Sequence, residues 1–315
     1  SYGSMGGYYT YDEVVQKLDS MRLQFPNLIS AKQNIGASVE NRTIWAVKIS
    51  DNPEVNESST EAPIYFDALH HAREPQAMAS VMYFMYWILE NYGTDPVATY
   101  ILDNREIYWL PVFNIDGYVY NETTNPNGGG MWRCNRHGSG SCGYVDINRN
   151  FGIRQFWNSS NGGSSTDSCS GGSGTYRGKS PFSEIETLNY MNFVNSRNFN
   201  AAFNAHTYGN YLIKPWAWSD PTPTPDDNIF NQFLSDMSET SGYTTGTASQ
   251  TVGYSVRGGT DDWCYNDSAH TGHHIFGITP ETGDDFWPPQ SDILPFAQNM
   301  LYSNQYMSLI AGAFV

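Results

Sequence analysis

The segment Pro63-Ile64-Tyr65-Phe66-Asp67-Ala68-Leu69 runs directly into His70-His71-Ala72-Arg73-Glu74-Pro75, and the pattern from Glu74 to Tyr92 turns helical ahead of Gly93. A short apolar run of this kind reads as a buried strand, and Gly93 sits where a helix stop is expected. The chain therefore changes from strand to helix at His71 and Glu74. Two ligand-type side chains three residues apart at such a turn can reach one point at the carboxyl edge of a sheet. Taken alone, a His-x-x-Glu pair is a weak signal and reads first as a surface hydrogen bond at a helix start.

The same alternation extends in both directions. Thr10 and Glu13 form a capping-box pattern ahead of Val14, Leu18, Met21 and Phe25, and Pro26 stops the element, so a first helix is expected over Tyr11 to Phe25. Strands are expected at Thr43–Ile49, around Glu106–Phe113, at Ala201–Ala205 ending in His206, and at His274–Thr279. Helices are expected from a capping box at Ser183 to Glu186, near Asp227–Glu239, and from about Ile293 to Ala311. This pattern predicts an α/β fold: a mixed, mostly parallel twisted sheet with helices on both faces and ligands at the strands' carboxyl ends. The Ser/Gly-rich stretch Asn158–Gly174 has the composition of a linker, but Cys169 inside it argues for a tethered loop, so residues 1–315 read as a single domain.

The composition agrees. The 315 residues are 39% hydrophobic and 15% aromatic, enough for a sizeable core, which excludes a disordered or fibrous chain. A net charge of −16 makes nucleic acid and anionic membrane surfaces poor partners. The longest apolar run, Met78–Leu89, is shorter than the roughly 20 residues of a membrane span. No basic-then-apolar N-terminus is present, as expected where a leader has already been removed. Cys134, Cys142, Cys169 and Cys264 allow three pairings and accompany sequons at Asn41, Asn56, Asn121, Asn158 and Asn266, which together predict an exported protein with two disulfides. A site of four thiolates is the alternative, but it lacks any Cys-x-x-Cys pair.

Beyond His71-Ala72-Arg73-Glu74-Pro75, three further segments follow in order: Met131-Trp132-Arg133, Asp146-Ile147-Asn148-Arg149-Asn150 and Asn204-Ala205-His206-Thr207-Tyr208. With Gly258-Gly259-Thr260-Asp261-Asp262-Trp263 and Glu281, the chain resembles the zinc carboxypeptidases, exopeptidases that remove one C-terminal residue. The resemblance implies that His71, Glu74 and His206 hold Zn2+, one ion per chain, with a fourth position left for water. It gives Asp146 the task of orienting a ligand imidazole, although an Asp capping a turn before Asn148 reads equally well from the residues alone. Arg133 takes the role of stabilising charge on the attacked carbonyl, and Asn148, Arg149 and Tyr254 form the cage for the terminal carboxylate. Arg73 and Tyr208, flanking the ligands, are assigned to substrate binding. Glu281 is the general base, although Pro280 before it and about five extra residues after Trp263 depart from the family pattern, and Asp284-Asp285 is an alternative.

Asp261 stands at the family's pocket floor, where members that cut basic residues also carry Asp, so a preference for C-terminal Lys or Arg is expected, with mixed specificity as a variant. Pairing of Asp261 with a resident cation such as Arg257 is the alternative. The family's loop disulfide corresponds to Cys142-Cys169, which leaves Cys134-Cys264 as the second expected bridge. The acidic pairs Asp226-Asp227 and Asp284-Asp285 suit calcium, but no Asp-x-Asp-x-Asp-Gly loop occurs and structural Ca2+ stays unassigned. His270, His273 and His274 form a rival metal cluster, whereas His70 and His137 have no partner at ligand spacing. The expected partners are peptide and protein C-termini, acted on by a secreted monomer. The competing functions are an inactive peptide-binding homologue, a zinc amidohydrolase acting on N-acyl amino acids or cell-wall peptides, and, more distantly, a carbohydrate binder.

Overall fold

In the computed structural model, which describes residues 1–160, 165–169, 171–219, 222–266 and 272–314, eight strands form one sheet. They are β1 (Gln33–Ala37), β2 (Thr43–Ile49), β3 (Ala62–Ala68), β4 (Arg105–Leu110), β5 (Ala201–Ala205), β6 (Tyr211–Ile213), β7 (Thr244–Gly246) and β8 (Phe276–Glu281), in the order β1-β2-β4-β3-β5-β8-β6-β7. The central four, β4-β3-β5-β8, are parallel, and antiparallel joins to β2 and β6 flank them. Every residue of β3 and β5 is buried, as parallel strands covered on both faces require.

Neighbouring side chains of β3 show the two layers. Phe66 stacks on Trp109 at 4.7 Å and meets Phe84 of the Pro75–Asn91 helix at 5.5 Å, whereas Tyr65 meets Tyr190 and Phe193 of the Ile185–Asn195 helix at 5.8 and 6.3 Å. Consecutive strand residues point to opposite faces, so helices cover both sides of the sheet. Truncating a buried ring such as Phe66 to Ala would cost roughly 3–5 kcal/mol.

Several boundaries move for identifiable reasons. The first helix spans Tyr11–Gln24, with the Thr10/Glu13 capping box formed. The box expected at Ser183 is absent: Ser183 Oγ is held by Asn150 Nδ2 and donates to Glu184 Oε2, and Glu184 becomes the N-cap without a side-chain cap bond. The closing helix is two, Gln290–Asn299 and Leu301–Ile310. The first packs against the Pro75–Asn91 helix and the second against Asp227–Ser241, where the Tyr306 hydroxyl donates to Asp236. β8 runs two residues later than expected, so Glu281 is its last residue.

The structure joins Cys142 to Cys169, with Cα atoms 5.0 Å apart. It does not join Cys134 to Cys264, and both are buried free thiols. Cys134 Sγ lies 3.3 Å from the Gly174 carbonyl oxygen in the Arg133 loop, while Cys264 Sγ lies 3.1 Å from the Tyr65 hydroxyl of β3, so each thiol is packed against different chain. The sequon residue Asn121 is buried, its amide bonded to the Ala72 and Trp132 carbonyls. Of the rival histidine cluster, His270 lies outside the described residues, His273 faces the Phe199 carbonyl oxygen and His274 stacks on Tyr265. Among the described residues no helix is long and apolar enough to cross a membrane.

Candidate active site

Because β3, β5 and β8 are parallel neighbours, their carboxyl ends emerge side by side. His71 lies just past the end of β3, His206 directly follows β5, and Glu281 ends β8. The His206 N–H donates to the Pro280 carbonyl at 2.9 Å, which ties the last two together. The turn after β3 carries Leu69 at φ 60°, an unusual conformation for a branched side chain, held where the Asn114 N–H donates to the Leu69 carbonyl.

His71 Nδ1 lies 2.6 Å from Glu74 Oε2, and His206 Nδ1 lies 3.1 Å from Glu74 Oε1 and 3.2 Å from His71 Nδ1. All three residues are buried. His71 Nε2 faces Asp146 Oδ1 at 3.0 Å. Both ring nitrogens of His71 thus face a carboxylate, and with a metal held at Nδ1 the ring would keep its proton on Nε2, toward Asp146. Burial pulls the His206 imidazole down to about 4 despite Glu74, keeping that ring neutral. Glu74 is held well below the usual carboxylate range, since His71 and His206 outweigh the effect of its burial. Two imidazole nitrogens and a carboxylate converging on one point form a donor set that fits Zn2+. Among the described residues one other acidic trio converges, Asp51, Glu57 and Glu61, but it contains no nitrogen and lies at the opposite, amino end of β3.

Asp146 joins this trio to the arginines. Its Oδ1 accepts from His71 Nε2 and from the Asn148 N–H, and its Oδ2 accepts from Arg133 Nε at 2.9 Å and Nη2 at 2.6 Å. Burial would raise its carboxyl, but Arg133, His71 and Arg149 hold it well below the usual range. Burial would lower the Arg133 guanidinium, and Asp146 and Glu74 more than reverse that. Two asparagines absent from the sequence-based set fix the Arg133 segment. Asn114 Nδ2 donates to the His70, Arg133 and Cys134 carbonyls, and Asn121 bonds both the N–H and the C=O of Trp132. Asn114 sits in no recognisable motif and Asn121 only in a sequon, which says nothing of this role; their signal is structural, an amide bridging separate loops.

Asn148, Arg149 and Tyr254 line one cavity of about 330 Å³ together with His71, Glu74, Arg133 and Glu281. Arg149 is buried, Asn148 half-buried and Tyr254 exposed at the rim. Asn148 Oδ1 accepts from the Thr260 N–H and hydroxyl, orienting its amide. Gly258, at φ 68°, lets the Tyr254 loop reach this turn, since a Cβ there would stand 2.2 Å from the Arg149 carbonyl oxygen. Arg73, Tyr208 and Phe286 form the other rim: the guanidinium lies 4.2 Å from the Phe286 centroid, and Tyr208 meets the same ring edge-on at 4.8 Å. Phe286 lies outside the sequence-based set, and the adjacent acidic pair Asp284-Asp285 is exposed. Burial and the Glu74 charge push the Glu281 carboxyl well above its usual range.

Asp261 lines the same cavity, as do Ile213, Ala217, Ala248, Val252 and Val256. Its Oδ1 accepts from Asn204 Nδ2 at 2.5 Å and its Oδ2 from Thr279 Oγ1 at 2.6 Å. Arg257 is not its partner; that guanidinium reaches the Ser165 carbonyl and Asp167. The neighbouring Asp262 accepts the Ala217 and Trp218 N–H groups and so clasps the pocket wall. The pair Asp226-Asp227 is engaged by Tyr265 and Lys214.

A parallel-centred sheet with a His/Glu/His trio beside buried arginines defines a metal-dependent hydrolase cleft, and known proteins agree with that class. The sequence pattern of the zinc carboxypeptidases matches residues 14–303. The chain is 32% identical over 305 residues to carboxypeptidase A2 of Mus musculus, covering 94% of this chain and 68% of that protein. It is 34% identical over 301 residues to carboxypeptidase A1 of Sus scrofa, covering 92% and 67%. The crystal structure of thrombin activatable fibrinolysis inhibitor superimposes with a TM-score of 0.84 at 25% identity, covering 99% of this chain and 76% of that one. Carboxypeptidase A from Helicoverpa armigera shares the fold, with a TM-score of 0.82 at 22% identity, covering 98% and 75%. The chain belongs to the zinc carboxypeptidase family and is a metallocarboxypeptidase, a zinc-dependent C-terminal exopeptidase.

Proposed function

We propose that this enzyme removes C-terminal Lys or Arg from peptides and proteins outside the cell, and that residues 1–315 act as one catalytic domain. The observation that carries the specificity is Asp261, a carboxylate with no ion-pair partner among the described residues, which lines the cleft together with Ile213, Ala217, Ala248, Val252 and Val256. An ionised carboxylate in such a place favours a cationic side chain, because the pair offsets desolvation that either group alone would suffer. The Cys142–Cys169 bridge supports an oxidising compartment. One chain supplies every residue of the cleft, so a monomer suffices.

In this reading His71, Glu74 and His206 hold the zinc, which when bound supplies a Lewis acid and an acidified water. Asp146 fixes the His71 ring and aims Arg133 through the same carboxylate. Arg149, Asn148 and the Tyr254 phenol take the terminal carboxylate, which sets the last peptide carbonyl before Arg133, where negative charge develops. Glu281 accepts the proton of the attacking water at its carboxylate and returns it to the departing amine. Arg73 and Tyr208, braced by Phe286, contact the peptide upstream.

The test is to incubate the zinc-loaded protein with a peptide ending in Arg and with its C-terminal amide. Release of free Arg from the first only, abolished by a chelator, is expected. Equal cleavage of the amide would overturn the exopeptidase assignment, and resistance of Arg and Lys endings alongside rapid removal of Phe or Leu at neutral pH would overturn the basic preference.

A further inference from the structure

Phe286 reaches the cleft from residues 284–288, a stretch without regular secondary structure between β8 and the Gln290–Asn299 helix. Its ring lies against Arg73 and Tyr208, so whatever holds this stretch also sets that rim. Among the described residues only two hydrogen bonds tie the stretch to the rest of the chain. Trp287 Nε1 donates to the Gly130 carbonyl at 2.7 Å, and the buried Pro288 carbonyl accepts from the Tyr8 hydroxyl at 2.9 Å. A third, from the Phe286 N–H to Asp285 Oδ1, is local.

Tyr8 is itself firmly placed. It closes a small hairpin in which Met5 and Tyr8 exchange backbone hydrogen bonds of 3.0 and 3.1 Å, and Gly6 and Gly7 take the positive φ, 62° and 101°, of a two-residue turn. Met5 and Tyr8 are both buried. The hairpin lies so close to the next loop that a Cβ on Gly6 would stand 2.6 Å from the Asn127 carbonyl oxygen. The Tyr8 ring meets Trp287 edge-on at 5.6 Å, and its hydroxyl also lies 3.2 Å from Oε1 of Gln76, whose Nε2 donates to the Ile293 carbonyl. One side chain thus links the hairpin, the Pro75–Asn91 helix and the stretch that carries Phe286.

We propose that Tyr8, distant in sequence from the cleft, is a positioning residue for its upstream rim: it holds residues 284–288 so that Phe286 stays against Arg73 and Tyr208. This rests on the reading above that Arg73 and Tyr208 contact the peptide before its last bond. A segment with so few bonds of its own depends on each of them for its place. Removing the hydroxyl leaves a buried carbonyl without its donor, and the fraction of molecules with the rim in place falls. Apparent affinity for a peptide that uses the rim falls in the same proportion. The rest of the cleft is held separately: Glu281 by β8, and Gly283 by its bonds to Gly209 and Asn210. A substrate too short to reach the rim should therefore be indifferent to Tyr8.

The experiment compares zinc-loaded wild type and Tyr8→Phe on two substrates that both end in Ala-Arg, an acetylated dipeptide and a pentapeptide. For the pentapeptide, KM should rise about 3–10-fold, the worth of one hydrogen bond, with kcat within about twofold; both constants for the dipeptide should stay within about twofold. Added to Phe286→Ala, Tyr8→Phe should change the pentapeptide KM by less than about twofold, because the two substitutions act through one contact. Equal losses on both substrates would reduce Tyr8 to a residue of general stability and overturn the proposal. An unchanged pentapeptide KM would show that the rim stands without Tyr8, and a full effect persisting in Phe286→Ala would route Tyr8 through another group; either overturns it. A pentapeptide KM that Phe286→Ala leaves unchanged would overturn the role of the rim, and that of Tyr8 with it. Release of Arg from neither substrate by wild type would instead overturn the function proposed above.

Discussion

Replacing Asp146 by Asn tests the group on which both halves of the site depend. The carboxylate is fully buried and accepts four hydrogen bonds, two on each oxygen. An amide keeps one oxygen, so its NH2 must face one donor pair. Turned toward Arg133, it leaves a buried guanidinium unpaired, which costs about 3–5 kcal/mol. Turned toward His71, it moves the imidazole proton to Nδ1, the atom facing Glu74 and His206, and zinc affinity falls about 10–100-fold. The first outcome lowers the melting temperature of the metal-free protein by roughly 5–8 °C for a chain of this size. Calorimetry of the metal-free protein and zinc titration against a competing chelator separate the two. The sign of the pH dependence is also set. Asp146 is held below its unfolded value, so its contribution is complete above about pH 4 and is lost as pH falls through the native value. Wild type and Asp146→Asn should therefore differ in stability at neutral pH and converge in strong acid. A variant that melts within 1 °C of wild type and binds zinc equally well would refute the role given to this carboxylate.

Three further outcomes are expected. Glu281→Gln should keep its zinc while turnover falls about 10²–10⁴-fold, read by metal analysis and steady-state kinetics; unchanged rates would place the base elsewhere. Cys142→Ser/Cys169→Ser opens a bridge between residues 27 apart and should cost about 3.5 kcal/mol by loop closure, seen in denaturant midpoints. Glu186 is fully buried, and burial lifts its carboxyl to about 7 against backbone hydrogen bonds from its own N–H and that of Val39. Because its native value lies above the unfolded one, wild type loses stability as pH rises from about 4.5 to 7, so Glu186→Gln should be more stable by up to about 3 kcal/mol at pH 8 and equal at pH 4; equal urea midpoints at both pH values would refute this.

Glu186 also shows where reading the sequence fails. Ser183 and Glu186 have the spacing of a capping box, a local rule, but Asn150 takes the serine hydroxyl from across the fold and the glutamate turns inward. The expected Cys134-Cys264 bridge fails similarly, because spacing along the chain does not reveal that one thiol packs in a loop and the other on β3. β6 and β7, three residues each, carry too little periodicity to be detected alone, yet β6 places Ile213 in the pocket. The central strands β3 and β5 are readable because strands buried on both faces are almost wholly apolar, broken here only by Asp67 and Asn204, and the site residues because they stand where those runs end. Asn114, Asn121 and Phe286 are not, because their function is to support another residue and nothing in their own neighbourhood records it.

A C-terminal basic residue carries two opposite charges a few bonds apart, and the cleft presents their complements at two separate places. Arg149 and Asn148 line it, and so does Asp261, which in the proposed reading takes the side-chain cation. Outside the cleft the chain's net charge of −16 attracts cationic peptides and repels acidic ones, a field that salt screens within about 10 Å. The buried arginines are therefore required: an anionic carboxylate terminus would otherwise approach a protein of its own sign. Their cost is met by Asp146, which compensates Arg133 with the same carboxylate that fixes the proton on His71. In the proposed mechanism, aiming Arg133 at the attacked carbonyl and presenting His71 to the zinc thus share one carboxylate, and neither can be altered without disturbing the other.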